Sequence, residues 1–562
     1  MAHHSYVVRS AADTTAPHTL RSAILYANAH PGTTITFAAT LAHHTITLQH
    51  ELPLILGNKT VIDGSGAPHL TISGADKYRV FFVGDTSDTV KAKIENLTIS
   101  HAVAKGGNGG DGSSGGGGGA GLGGGIFVSD HASLTVSGVV LADDTAAGGN
   151  GGADLGLGLG QGAGGGGGMG GNGGAGGGQS GGGGGFGVGA VGGSGSLNGS
   201  SGQFTNGGPG GNGSGSAMGG PGGGGGGGGP SINGGAGGGG VGGLSGTGSL
   251  GGSGGDGGFG GGGGASGNQS GAGGFGGGGG AGTTTAAIGG FGGGGGGSFG
   301  IARDGGFGGG SGSATDISGQ DGGGGGAGMG GGIFVQEGGS LTATGKITIT
   351  GNTVVAGGHS GAATDGSAFG GGLFLHGDGA IHFSPGKGQV EHVSNAIDDQ
   401  AGVEAKGYTP AGGVVPGSYG LVKSGLGTLI LSADNAYSGG TTLQAGTLYL
   451  TAKGAAGIGT LSNPGSDAIT FQGTATLELA NPALPGNVFS TPIDNFGRHD
   501  VIDLHGLHLH AHAKATYDAG THDLTVHSGS VTDTLTLLSP HGTHFGTASD
   551  GHGGTDVFLV FA

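Results

Sequence analysis

The chain has no cysteine and no tryptophan, and charged residues make up only 9% of its 562 residues. Without cysteine it can form neither a disulfide nor a thiolate metal site. Its formal net charge of −18 argues against nucleic acid as a partner. No apolar run reaches the roughly 18 residues that a membrane helix needs, and residues 1–17 lack the apolar centre of a cleavable signal peptide. We therefore expect no transmembrane segment and no N-terminal signal peptide.

Histidine, in contrast, is abundant. If all 24 histidines were protonated, the formal charge of −18 would change sign. An unperturbed imidazole titrates near pH 6.5, and a net charge close to zero promotes association. One hypothesis is a pH switch acting around pH 5–6. The alternative is a compositional bias without a switch.

Glycine dominates residues 106–332, and no charged residue occurs between Asp154 and Asp256. Polyproline II geometry has three residues per turn, and glycine in that geometry keeps an N–H that can bond to neighbouring strands. Large apolar rings recur here at sixteen-residue intervals, each within Gly-Phe-Gly-Gly-Gly. These rings are Phe259, Phe275, Phe291 and Phe307. The spacing favours an ordered polyglycine II insertion with the four rings as structural anchors, over a disordered linker.

Outside the glycine region the sequence predicts short strands. One helix is expected at residues 19–28, because Leu20, Ile24 and Ala27 fall on one helical face. After it come β-branched runs of four to six residues, such as Thr34–Phe37, each bounded by Gly, Asp, Asn or Pro. Short, evenly spaced strands are typical of a sandwich, a barrel or a solenoid. The recurrence of similar phrases favours the solenoid.

Three stretches resemble known families. LRSAILYANAHPGTTITF, followed by VIDGSGAPHLTISG, is similar to the start of bacterial right-handed parallel β-helix proteins of the pectin-lyase-like class, in which a short helix caps the coil. The phrases at 123–146 and 330–355 both begin Gly-Gly-Gly-Ile-Phe-Val and resemble coils of adhesins and autotransporter passengers. Residues 425–450 resemble the autotransporter-associated β-strand repeat, including its core at Asn435–Thr442. The resemblance implies an all-β, right-handed parallel β-helix with an N-terminal helical cap.

We predict four regions. Residues 1–105 form the cap and the first coils, and 106–332 form the glycine-rich insertion with one coil at 123–147. Residues 333–490 form further coils, including the repeat at 425–450, and 491–562 form a C-terminal β module. That module resembles C-terminal parts of bacterial proteins exported by type I secretion. Its last residues, Asp556–Ala562, are interpreted either as an uncleaved secretion signal or as the last strand of a capping sheet.

Metal sites have weak candidates. His508, His510 and His512 would share one face of a strand and could hold Zn²⁺, Cu²⁺ or Ni²⁺, although an exposed polar face explains them too. Asp111 and Asp256 each end a Gly-Gly-x-Gly-Gly-Asp phrase, the front half of a calcium-binding β-roll repeat, but the apolar residue that should follow is missing. We expect no cofactor, with calcium as the minor alternative.

Enzymatic activity has little support in the sequence. A β-helix lyase or hydrolase needs clustered carboxylates, and a lyase also needs basic side chains. The carboxylate candidates are Asp143 with Asp144, Asp398 with Asp399, and Asp63 with Lys59. With only 16 Lys and Arg, no basic cluster is visible. We predict a non-enzymatic extracellular or cell-surface protein that associates with itself into a fibre or biofilm matrix. The alternatives are a monomeric adhesin for a glycan or host surface, and a β-helix polysaccharide lyase or hydrolase.

Overall fold

The protein is described by a computed structural model covering residues 4–85, 88–157, 162–177, 179–194, 199–200, 237–238, 253–315, 320–413, 417–458 and 467–560. Within these residues the fold is all-β, with mostly parallel sheets and two short α-helices. Four 3₁₀ turns lie at Ala39–Leu41, Gly64–Gly66, Asn481–Ala483 and Pro485–Asn487.

The N-terminal region holds the longer helix and the first coils. Its elements are β1 (His4–Val8), α1 (Leu20–Ala29), β2 (Thr33–Phe37), β3 (Thr45–Thr47), β4 (Thr60–Asp63), β5 (Thr71–Ser73), β6 (Phe81–Val83), β7 (Val90–Glu95), β8 (Thr98–Ser100) and β9 (Val103–Lys105). Helix α1 begins with a capping box in which Thr19 and Ser22 each bond the other's backbone N–H, at 3.1 and 3.2 Å. Its buried face, which includes Leu20 and Ile24, packs against β1 and β2.

Two successive coils show the repeating unit. The first comprises β10 (Gly121–Leu122), β11 (Ile126–Val128), β12 (Ala132–Ser137), β13 (Val140–Ala142) and β14 (Thr145–Ala147). The second comprises β15 (Gly328–Met329), β16 (Ile333–Val335), β17 (Ser340–Thr344), β18 (Thr348–Thr350) and β19 (Thr353–Val355). Each strand of the first pairs in parallel with its counterpart in the second, as Ile126 does with Ile333. Residues 148–327 therefore connect two adjacent coils, and the strands of these coils pair in register.

Further coils follow, together with the second helix. They contain β20 (Ala368–Phe369), β21 (Leu373–Leu375), β22 (Gly379–Ser384), β23 (Val390–Val393), β24 (Ile397–Asp399), α2 (Gln400–Ala405), β25 (Tyr419–Lys423), β26 (Thr428–Leu431), β27 (Thr441–Leu443), β28 (Gly446–Leu450), β29 (Ile469–Phe471) and β30 (Ala475–Leu479). Among the described residues, stacking of the coils yields two long sheets of 14 and 12 strands, one of five, and two of three. Inward residues such as Ile126, Leu134 and Leu141 form one continuous core. The architecture is that of a β-helix-like solenoid.

The C-terminal module changes the direction of pairing. It contains β31 (Val488–Asp494), β32 (Val501–Leu504), β33 (Lys514–Asp518), β34 (Asp523–Ser528), β35 (Val531–Leu537), β36 (Phe545–Ser549) and β37 (Thr555–Leu559). Strands β33, β34 and β35 pair antiparallel, and β37 pairs antiparallel with both β32 and β36. Both long sheets thus end in antiparallel strands.

The glycine segments leave the solenoid at one corner. They connect β9 to β10, β14 to β15 and β19 to β20, and so run from one three-stranded sheet to the other. The described glycine residues therefore gather beside three consecutive coils.

Candidate functional site

Glycine strands in this region bond to neighbours in three directions. In the strand at 115–121, the N–H groups of three successive residues, Gly116, Gly117 and Gly118, donate to carbonyls on three different strands, at Gly110, Gly279 and Gly324, over 2.9–3.0 Å. The next three N–H groups, of residues 119–121, donate to the same three neighbouring strands in the same order. A repeat of three residues is expected for a strand with three residues per turn. A Cβ on Gly117 would meet the backbone of Gly294, so no larger residue fits at this position.

The four periodic phenylalanines occupy turns between glycine strands. In the first turn, the Gly261 N–H donates to the Gly258 carbonyl at 2.7 Å, and Gly260 has φ +76°. A positive φ at the third position is the mark of a type II turn, and only glycine adopts it without strain. The same bond and positive φ recur at the turns of the other three rings. One sixteen-residue period is thus one pair of strands with a phenylalanine at the turn.

These four rings form a ladder on the bundle. Successive centroids, from Phe259 through Phe275 and Phe291 to Phe307, are 5.1, 5.0 and 5.5 Å apart, with interplanar angles of 4–7°. Phe307 is only 3% exposed, and the other three are partly buried. We call this set the bundle ladder.

A second ladder lies on the solenoid and faces the first. The central residues of β6, β11, β16 and β21 stack with centroids 4.4, 5.1 and 5.8 Å apart; they are Phe82, Phe127, Phe334 and Phe374. We call this set the solenoid ladder. The two ladders meet edge to face, as at Phe127–Phe259 with centroids 6.1 Å apart at 82°, a favoured aromatic geometry. Sequence reasoning missed these partners. The available signal was an outward-pointing Phe between two inward aliphatic residues in each Ile-Phe-Val phrase.

His376 fills the seam between the ladders. Its ring centroid lies 4.2 Å from that of Phe291 and 5.3 Å from that of Phe275. The Glu337 N–H donates to its Nδ1 at 3.1 Å. Burial lowers the pKa of His376 to about 4, because a charged imidazole would lose its hydration among the rings.

Two buried carboxylates hold the segment that follows α2. Asp399 accepts backbone N–H bonds from Gly402, Tyr419 and Ser438 at 2.6–2.8 Å, and burial raises its pKa to about 6. Asp398 accepts from Gly370 at 2.7 Å and from Ala436 at 3.0 Å. These partners belong to four separate chain segments, so the pair fastens the coil of β24 to the coils around it.

The segment that follows α2 contains a short sequence repeat. Strands β25, β26, β27 and β28 continue the two long sheets in parallel register, and Tyr437 is buried, with its hydroxyl 2.7 Å from Thr441 Oγ1. Residues 421–450 match the passenger-associated-transport-repeat family model. The match indicates an autotransporter passenger-type surface protein. No curated protein and no solved structure matched the chain.

The other carboxylates considered for catalysis also accept hydrogen bonds from the backbone or from a side chain of an adjacent coil. Asp144 is fully buried, accepts the Ala102 N–H at 2.9 Å, and has its pKa raised well above the ordinary value by burial. Asp63 accepts from the Ser65 N–H and the Asn96 side chain at 2.8 and 3.0 Å. Among the described ion pairs none joins Asp63 to Lys59.

The candidate metal residues are not brought together. The placement of His508, His510 and His512 on a strand is wrong, since they lie in the loop between β32 and β33. The alternating His-x-His pattern fits such a loop equally well. The Asp111 and Asp256 side chains accept N–H bonds from Ala153 and Ala272, at 2.7 and 2.8 Å. The glycines at 251–252 that precede Asp256 lie outside the described residues.

The proposed C-terminal signal is partly a strand. Residues 555–559 form β37, whereas 561–562 lie outside the described residues. Across the described ranges, no helix combines the length and the apolarity needed to span a membrane.

One cluster that the sequence analysis missed lies beside β37. The ligand atoms of Glu478, Asp503 and His505 all lie within 4.8 Å of one another. Burial, with Asp556 and Glu478 nearby, raises the pKa of Asp503 to about 7. The three residues fall on different strands and loops, so their spacing in the sequence gives no motif.

Proposed function

We propose that this protein is a non-enzymatic structural component of a bacterial surface or extracellular matrix, and that it associates with itself through its glycine bundle. The observation that carries the proposal is the three-directional hydrogen bonding of the glycine strands. A strand inside such a bundle has neighbours on every side, but a strand on its surface presents backbone groups to solvent. These groups can pair with a strand of a second molecule.

The passenger-type repeat at 421–450 supports the location. We propose that the solenoid is a right-handed parallel β-helix, since crossovers between parallel strands of one sheet are nearly always right-handed, and that α1 caps its first coil. In this scheme the glycine region is a polyglycine II insertion, and the bundle ladder anchors it. We also propose that the protein is exported by type I secretion.

We propose that the protein is not an enzyme because its candidate catalytic carboxylates are buried and hydrogen-bonded. The carboxylates of Asp398, Asp399 and Asp144 are engaged by backbone N–H groups and buried. They are therefore poorly placed to exchange protons with a polysaccharide, which a glycosidase or lyase requires.

Electron microscopy and sedimentation velocity on the full chain test the proposal. We expect filaments or concentration-dependent oligomers at neutral pH. A variant carrying G177D and G267D places charges on exposed glycine positions where an added side chain meets almost nothing, and it should associate at least tenfold more weakly.

The matched control carries H382D and Q444D, which place the same charges on exposed solenoid positions. It should assemble like the parent. Monodisperse parent protein at every concentration would contradict self-association. Equal loss in both variants would show that the glycine surface has no special part in it.

A second candidate is a monomeric glycan-binding adhesin. A cleft of about 350 Å³ lies where the solenoid meets the glycine strands, and Lys77, Tyr78, Lys105, Asn108 and Asn172 line it. An aromatic ring beside amide and ammonium groups suits a sugar. Binding of the monomer to a glycan array, lost in Y78A, would favour this function.

A further inference from the structure

Three carboxylates stand side by side on the outer face of the 12-stranded sheet. Glu478 of β30 pairs in register with Asp503 of β32, and Asp503 pairs with Asp556 of β37. All three side chains are partly buried. Like charges directly opposite each other on neighbouring strands destabilise a sheet.

A nitrogen ligand adjoins the row. His505 follows β32, and its Nδ1 lies 3.3 Å from Glu478 Oε1. One ligand atom each from Glu478, Asp503 and His505 lie within 4.8 Å of one another. Two ligands of a common zinc ion stand about 3–4 Å apart when each lies about 2.0–2.2 Å from the metal. Small side-chain rotations therefore suffice to close the set around one ion.

Oxygen atoms at the row also lack partners. Asp503 Oδ1 and Asp550 Oδ2 are both shielded from solvent, and neither has a hydrogen-bond partner among the described residues. The other oxygen of Asp550, Oδ1, accepts the His552 and Gly554 N–H groups at 2.7 and 2.8 Å, which fixes the loop before β37. A shielded carboxylate oxygen without a donor is costly. A cation bound by Asp503 would satisfy its unpartnered oxygen.

We propose that Glu478, Asp503 and His505 bind a divalent transition-metal ion of the zinc class, with Asp550 as a neighbouring carboxylate. Mixed imidazole and carboxylate ligands suit Zn²⁺ or Mn²⁺, whereas Ca²⁺ prefers a set made only of oxygens. The ion would neutralise the row and tie the last solenoid strands, β30 and β32, to the loop that leads into β37. Its role is to hold the C-terminal module on the end of the solenoid.

Isothermal titration calorimetry of the chelator-treated full chain with ZnCl₂ is the test, with MnCl₂ and CaCl₂ titrated alongside. We expect one Zn²⁺ per chain, weaker Ca²⁺ binding, and a higher melting temperature with Zn²⁺. Both D503N and H505A should weaken Zn²⁺ binding at least tenfold. D503N also removes a like charge, so its metal-free melting temperature should not fall. That result separates ligand loss from misfolding, and E478Q provides a second ligand variant.

Two controls locate the ion. The exposed pair His359 and Asp365, with Nδ1 and Oδ1 2.6 Å apart, offers the same kinds of ligand, an imidazole and a carboxylate. The variant H359A/D365N should bind Zn²⁺ like the parent. The loop variant H508A/H510A/H512A should do so as well. Unchanged Zn²⁺ affinity in D503N and H505A would overturn the proposal. So would loss of binding confined to the loop variant, because the ion would then belong to the loop histidines.

Discussion

His376 is a histidine whose surroundings accept only a neutral ring. Because its pKa is lowered to about 4, its contribution to stability is complete above the unfolded value of 6.5 and is lost as pH falls from 6.5 towards 4. At pH 5 that loss amounts to about 2 kcal/mol. We expect H376L to lose less stability between pH 7.5 and pH 5 than the parent, measured by urea unfolding.

His131, whose side chain is 63% exposed, provides the control for that comparison. H131L should lose as much stability at low pH as the parent. Equal acid sensitivity of H376L and the parent would contradict a role for the seam histidine.

Asp144 occupies one position of a ladder otherwise made of asparagines. The Asp144 N–H donates to Asn352 Oδ1 at 2.9 Å, and the Asn352 N–H donates to Asn395 Oδ1 at 3.1 Å. Asp144 Oδ2 has no hydrogen-bond partner among the described atoms. The Asn352 side chain donates to the Leu141 carbonyl, which lies in the coil before it. Leu141 pairs with Ile99, so the Ile99 carbonyl holds the equivalent position in the coil before Asp144. An asparagine at 144 would therefore gain an acceptor.

D144N should stabilise the protein at neutral pH by about 1–3 kcal/mol. The raised pKa means that stability is full below the unfolded value near 3.8 and declines as pH rises towards the folded pKa. The gain in D144N should accordingly vanish near pH 3. Urea midpoints at pH 7 and pH 3 measure this, with D143N as the neighbouring control. A D144N protein less stable than the parent at pH 7 would refute it.

At single positions, the sequence predicted where rings recur but not what they contact. Spacing located the periodic phenylalanines because a repeat is a local property. The role of Asp399 depends on N–H groups from Gly402, Tyr419 and Ser438. Only the fold brings those groups together, so the carboxylate looked like a catalytic candidate.

At the scale of elements, the two ladders join the bundle to the solenoid. Replacing Phe259, Phe275, Phe291 and Phe307 together by Ser removes one ladder and leaves the solenoid core untouched. We expect protease cleavage within the glycine region to rise at least tenfold while the solenoid fragments stay resistant. The single change F307A, at the most buried of the four, should cost about 3–5 kcal/mol of local stability, measured by hydrogen exchange.

Phe489, also buried but in the C-terminal module, offers a contrasting site. F489S should leave the glycine region protected. Unchanged protease resistance of the fourfold variant would show that the ladder does not anchor the bundle.

Short strands and the N-terminal helix were predictable from local pattern. The helix expected at 19–28 is found at Leu20–Ala29. The pairing of strands such as β11 and β16 was suggested by their identical phrases. The antiparallel C-terminal module was not predicted in detail, because pairing direction depends on which distant strand arrives alongside β32.

For the whole molecule, charge should control association. At pH 7 a formal charge of −18 opposes contact between copies, and protonation of histidines lowers that repulsion. We expect the weight-average sedimentation coefficient to rise between pH 7 and pH 5.5, and added salt at pH 7 to produce part of the same increase by screening. Association that is independent of both pH and salt would exclude electrostatic control.

The register between β11 and β16 holds although about 200 residues separate them along the chain. Closing a longer flexible loop costs only about 0.6 kcal/mol for each doubling of its length. Each sixteen-residue unit adds one strand pair and one stacked ring. The width of the bundle is therefore set by the copy number of a tandem repeat. Duplication or loss of one unit would yield a wider or narrower surface on an unaltered scaffold.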